Sequence, residues 1–210
     1  MAIADRKQRI FARREEDILD AALALLSHPN WESVTVEQIA NEAEIGKGTF
    51  YKHFGSKDEL LFRLMMRFYS GLLFHLKEVE VEDSDDILIG FRRIFEFALR
   101  YHMEHRAYRY IVEYCKRIDF KERADESWRV SFLELDRAFG DWGDPLLLTA
   151  MEKGLIADRA PAQISIGLHA CLTGAIDMLW EGKEWCVYGD EERIIESVTD
   201  FMMAGLVGKG

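Results

Sequence analysis

Proline is nearly missing: three residues in 210. Long stretches are therefore free of the strongest helix breaker. Val and Thr are sparse while Ala, Leu, Glu and Arg abound, so the composition predicts an all-helical chain. Cysteine is scarce and odd in number. Cys115, Cys171 and Cys186 include no CxxC pair, which argues against a disulfide framework or zinc ribbon and suits a reducing cytoplasm. There is no low-complexity tract and no internal repeat. No secretory signal is expected, because Arg6, Lys7, Arg9, Arg13 and Arg14 have no apolar run behind them. The most apolar stretch, Ile164 to Trp180, is about 17 residues and includes His169, Thr173, Gly174 and Asp177; it reads as too short and too polar for a membrane span. A nucleophile elbow, a glycine-rich phosphate loop and an HExxH pair are also absent from the sequence, which weighs against an enzyme and for a cofactor-free protein.

What is present is charge, unevenly spread. The net charge of −11 looks unsuited to a nucleic-acid partner until it is divided. Residues 1–67 hold ten Lys/Arg against eleven Asp/Glu, and the remainder 17 against 27. Residues 1–14 carry five basic groups and the single acid Asp5. The acidity belongs to the C-terminal part, and the N-terminal end keeps the local positive charge that phosphate contact needs.

Apolar Phe11, Ile18, Ala22, Leu25 and Leu26 recur at helical spacing and predict a first helix over about 9–27, broken by Pro29-Asn30. Thr35-Val36-Glu37-Gln38 has the form of a capping box, and Ile39, Ala40 and Ala43 give the short helix it opens a narrow apolar face. A turn near Glu44–Gly46 leads to a second short helix, in which Phe50 and Phe54 share one side while Gly48, Thr49 and Lys52 point away and Lys47, Tyr51 and His53 flank them. Two short helices across a three-residue turn form the pattern of a helix-turn-helix. Gly48 permits close backbone approach to a base or phosphate, and Thr49 can donate to an acceptor and touch a thymine methyl. Ser56-Lys57-Asp58-Glu59 is a second capping box, with Lys57 beside an amide-rich helix start that suits phosphate.

These residues resemble the tetracycline-repressor (TetR) family. The resemblance rests on Ile18-Leu19-Asp20-Ala21-Ala22, on Thr35 through Ala40, and on Gly48 through Leu60, about a quarter of the chain. It implies an all-α homodimer, with a three-helix DNA-binding head over residues 1–55 and a larger helical effector-binding and dimerisation domain over 56–210. By the same resemblance Thr35 meets a phosphate, Lys47, Gly48 and Thr49 meet base edges and nearby phosphates, Tyr51 and His53 meet phosphates, and Lys57 clamps the backbone. Lys52 falls where members vary, making it a candidate for operator selectivity. Two departures stand out: Glu44 replaces the usual turn glycine and Gly46 the usual cap serine. The turn is expected to survive both.

Beyond residue 68 the resemblance fades. Helices are expected at about 87–102, 105–118, 122–139, 144–153, 162–181 and 190–206, punctuated by Gly140, Gly143-Asp144-Pro145, Gly154, Pro161 and Gly189. Gly167, Ala170, Cys171 and Gly174 form a small-residue stripe, and Ile194, Val198, Phe201 and Met202 an apolar face. By spacing alone these serve a dimer or an internal core equally; the resemblance favours the dimer. Candidate effector-pocket residues are Phe91, Phe95, His102, Arg106, Tyr110, Tyr114, Trp128, Phe132, His169 and Asp177, and their aromatic share points to an apolar or amphipathic small molecule, a fatty-acyl or aromatic compound. His102 and His105 stand one turn apart, but without a third ligand they read as a solvated face rather than a metal site. The expected function is a cytoplasmic transcription regulator, a repressor that binds a palindromic operator in double-stranded DNA and is released by its effector. A helical protein-binding adaptor and a ligand-dependent activator are the alternatives.

Overall fold

The computed structural model describes residues 2–81, 87–182, 187 and 190–208; Cys186, Gly189 and acidic residues 82–86 lie outside them. Among the described residues there are helices and no strands. The α-helices are α1 (Ala2–Leu26), α2 (Val36–Glu42), α3 (Lys47–His53), α4 (Lys57–Leu76), α5 (Ile87–Glu104), α6 (Arg109–Lys116), α7 (Ile118–Arg123), α8 (Glu126–Glu152), α9 (Pro161–Glu181) and α10 (Glu191–Val207), with 3-10 turns at Trp31–Ser33 and Arg106–Tyr108. The all-helical fold matches the expectation from composition.

The helices gather into two compact units. One joins the residues through Tyr69 with Arg106–Phe132; the other joins Ser70–His105 with the residues from Leu133 onward. In the first, Ile18, Ala22, Leu26, Ile39, Phe50 and Phe54 are buried together with Leu60, Leu64 and Phe68 of α4 and Ile111, Val112 and Phe120 of α6 and α7. This unit thus includes α6, α7 and the first turns of α8 as well as the three head helices. In the second, α5, α9 and α10 pack mutually, burying Phe91, Phe95, Leu99, Ala175, Leu179, Ile195 and Leu206.

Three elements differ from the sequence reading. Helix α1 starts at Ala2 rather than near residue 9, because Arg, Lys, Gln and Ala sustain a helix without needing a core to pack on. The expected helices at 122–139 and 144–153 are one, α8, which passes through Pro145. Proline removes one backbone bond there, and the Thr149 hydroxyl donates to the Pro145 carbonyl at 2.8 Å; packing of Leu147 and Ala150 holds the segment after the proline. Helix α9 is 21 residues, and by length and composition it could cross a membrane, contrary to the estimate from its apolar run alone. Much of its surface is exposed, with Ile166 at 71%.

Candidate nucleic-acid interface

Both caps that open the head form as their sequences imply. The Thr35 hydroxyl accepts from the Gln38 amide at 3.2 Å while the Gln38 side chain accepts from the Thr35 amide at 2.8 Å. At the start of α4 the Ser56 hydroxyl accepts from the Glu59 amide at 3.0 Å, and the Glu59 carboxylate reaches Gly55 rather than Ser56, accepting from its amide at 2.7 Å. Each cap satisfies two orphan donors and fixes where the helix begins.

The turn between α2 and α3 survives its unusual composition. Glu44 takes a left-handed φ of 54°, its amide donates to the Asn41 carbonyl, and the Ile45 amide donates to the Ala40 carbonyl at 2.9 Å. That paired pattern is a Schellman ending with glutamate at the left-handed position, a conformation that costs an L residue about 1 kcal/mol. Gly46 then caps α3 with extended backbone and no side-chain bond.

On α3 the apolar and polar sides separate as expected. Phe50 and Phe54 are fully buried, while Lys47, Gly48, Tyr51 and Lys52 are exposed and Thr49 and His53 half-buried. A Cβ placed on Gly48 would meet nothing within 4 Å. Its glycine is therefore not required by internal packing, although it costs helix propensity. Thr35 is exposed at the start of α2.

His53 and Lys57 are held by groups the sequence did not announce. The His53 ring stacks on Phe11 of α1 at 4.0 Å between centroids. Its Nδ1 is buried without a partner, and burial pulls its pKa below the usual histidine value, with Glu15 opposing and Arg14 adding to the shift. Burial therefore disfavours the protonated imidazole at His53. Lys57 points inward: its Nζ donates to the Glu32 carbonyl at 3.0 Å and lies 5.5 Å from the Trp31 ring. Burial lowers its pKa, against the pull of Asp58 and Glu32. It lines a cleft of about 370 Å³ with Trp31, Asp58, Tyr114, Arg117 and Arg123. The cleft's charges answer one another, as where Arg123 contacts Asp58 at 3.3 Å. Helix α1 is tied to α4 by Glu15 with Arg63 and by Asp20 with Arg67 at 2.7 Å; Arg67 also donates to the Tyr108 hydroxyl at 2.9 Å.

The candidate effector residues are divided between the two units. Phe91, Phe95 and His102 are buried in the second unit, where the Ala98 carbonyl lies 2.7 Å from His102 Nδ1 and the Trp180 indole donates to the His102 carbonyl. His169 and Asp177 are exposed on α9. Arg106, Tyr110, Tyr114, Trp128 and Phe132 belong to the first unit, where Arg106 and Phe132 are exposed and Trp128 stacks on Phe62 at 5.4 Å. Of the expected dimer residues, Gly167, Ala170, Gly174 and Phe201 are exposed and Cys171 and Val198 half-buried. Ile194 and Met202 are buried inside their own unit at 5% and 2%, so the inward side of α10 has claimed them and they present nothing to a second copy.

A capped helix, a Schellman turn and a short second helix with an open polar face define a helix-turn-helix protein of all-helical fold. Residues 18–64 match the family model of the bacterial regulatory proteins, tetR family. The transcriptional repressor KstR of Rhodococcus jostii is 41% identical over 54 residues, 26% of this chain and 26% of that protein. The regulator YuxN of Bacillus subtilis is 27% identical over 93 residues, 44% of this chain and 32% of that protein. The match thus spans about a third or less of these curated relatives. The fatty acid degradation regulator FadR from Bacillus halodurans shares the fold along 93% of this chain and 97% of its own, with a TM-score of 0.69 at 16% identity. Residues 18–64 are thus similar to the tetR family of bacterial regulatory proteins, and the fold of the chain is similar to that of solved regulators.

Proposed function

We propose that the protein is a one-component transcription regulator, a repressor whose two copies bind a palindromic operator and leave it when a small molecule binds. The observation that carries this reading is the exposed face of α3. Lys47, Gly48, Tyr51 and Lys52 stand clear of the core, and the open Cβ position of Gly48 leaves room for the close approach of a partner. Lys47 and Lys52 supply charge toward phosphates, Tyr51 and His53 supply hydrogen-bond donors, and Gly48, Thr49 and Lys52 read base edges. Thr35 adds a hydroxyl at the start of α2. Lys57 contributes by holding the Trp31–Ser33 turn against α4, so its removal would loosen the head as well as any backbone contact.

Dimerisation supplies the second half-site. Ile166, Gly167, Ala170 and Gly174 are exposed on α9, and Phe201 adds an aromatic ring 70% exposed on α10. Such a surface favours close helix packing against a second copy, which would cover it. Two heads one helical turn apart then meet successive major grooves. An apolar or amphipathic effector that binds better to a dimer with the wrong head spacing lowers DNA affinity by that difference, with no chemistry on the effector. The name of the fatty acid degradation regulator that shares the fold makes acyl compounds the first to test. A cytoplasmic location follows from a DNA partner.

The test is selection of genomic fragments by the purified protein and by a Tyr51→Ala, Lys52→Ala variant. Enrichment of a palindromic site that the variant loses supports the regulator. No enrichment, with or without added acyl compounds, would favour a protein-binding adaptor; enrichment only with them would make it a ligand-dependent activator.

A further inference from the structure

Helix α1 runs well beyond the core it serves. Its packing residues begin at Ile18, yet the helix extends back to Ala2, and residues 6–14 are exposed throughout. Just beyond this segment the helix is tied to α4, where Glu15 pairs with Arg63 and Glu16 and Asp20 pair with Arg67. Its direction relative to α3 is set by the Phe11 ring lying 4.0 Å from His53. At about 100° per residue, Lys7 and Arg14 fall roughly 40° and 60° from Phe11 on the same side. Arg6, Arg9 and Arg13 lie on the far side, roughly 140° to 160° away.

We infer that Lys7 and Arg14 form a second phosphate-binding row, which extends the DNA contact of α3 onto the sugar-phosphate backbone flanking each half-site. The inference rests on the proposed DNA-binding function. Phe11 joins the row to the C-terminal end of α3, so a strand that meets Tyr51 and His53 continues past α1. Lys7 and Arg14 are about 10.5 Å apart along the helix, a length over which one DNA strand rises through about three phosphates. No ion pair with a described residue involves Lys7 or Arg14. Glu15, the α1 acid that acts on His53, is engaged with Arg63. Phe11 has a positioning role: it props the row against the recognition helix.

The experiment measures affinity of the full chain for a fluorescein-labelled duplex of about 30 base pairs, mixed in sequence, across a series of salt concentrations. It compares wild type with Lys7→Gln, Arg14→Gln and with Arg6→Gln, Arg13→Gln, two variants that remove equal charge from opposite sides of α1. Each lost phosphate contact lowers the salt slope by about 0.9 and weakens binding by roughly eightfold near 0.1 M salt. The Lys7, Arg14 pair should therefore lose close to 2 in slope and tens of fold in affinity, with unchanged melting temperature. The Arg6, Arg13 pair should lose less than threefold. An unchanged slope in the first variant, or equal losses in both, overturns the row while leaving an operator-selecting head intact. Wild type that enriches no site in the genomic selection overturns the parent reading and the row with it. Salt-dependent capture of wild type by anionic vesicles but not by the duplex would assign the row to a membrane surface and also overturn it.

Discussion

Gly48→Ala should raise stability and weaken DNA binding at once. A Cβ at this position meets no atom of the protein within 4 Å, so nothing in the fold resists the methyl. Exchanging glycine for alanine in a helix gains up to about 1 kcal/mol, most of it from the restricted unfolded chain. For a chain of this size that is an increase of roughly 2–4 °C in melting temperature. At the DNA surface the sign reverses. If the backbone of α3 approaches a base or phosphate closely, the added methyl must push the helix outward, at a cost of about 1–3 kcal/mol, as in an overfilled core. That is roughly a 5- to 150-fold loss of affinity. Thermal denaturation and fluorescence anisotropy on the same preparations read the two effects independently. A variant that is stabilised yet binds the duplex as tightly as wild type would refute the close approach. One that is destabilised would refute the open position of Gly48.

Glu44→Gly relieves the left-handed backbone of the turn and should stabilise the protein by about 1 kcal/mol, read as a raised denaturation midpoint with DNA affinity retained. His53 should make stability depend on pH. Its folded pKa is depressed, so the unfolded state takes up a proton first as pH falls through about 6.5. Stability is then full above that pH and declines toward acid. Comparing denaturation midpoints at pH 7.5 and 5.5, the decline should shrink in His53→Gln. Phe201→Asp places a charge on the exposed ring position of α10 and should shift sedimentation toward monomer with helicity intact. An unchanged dimer would remove α10 from the interface.

What the sequence disclosed, and what it hid, divides by range. The capping boxes at Thr35 and Ser56 and the inward pair Phe50 and Phe54 depend on residues three or four apart, and such patterns are visible in a linear string. The turn at Glu44 was legible as a departure, because a left-handed position ordinarily calls for glycine. The run of α8 through Pro145 was not: tertiary packing of Leu147 and Ala150 overrode a local breaker. The stack of Phe11 on His53 and the Arg67 contacts to Asp20 and Tyr108 join residues tens of positions apart, and no spacing rule connects them. Ile194 and Met202 share a helix with Phe201, but periodicity alone does not say which side meets the protein's own core. Aromatic content likewise suggested pocket residues without saying that Trp128 already stacks on Phe62.

Hydroxyl-radical footprinting of a duplex enriched by the wild-type protein goes straight to the arrangement of two heads on one site. Two protected patches related by a dyad, with centres about 10 base pairs apart, are the expected result, and Tyr51→Ala, Lys52→Ala should erase both. A single patch, or patches without dyad symmetry, would contradict a dimer that reads successive major grooves.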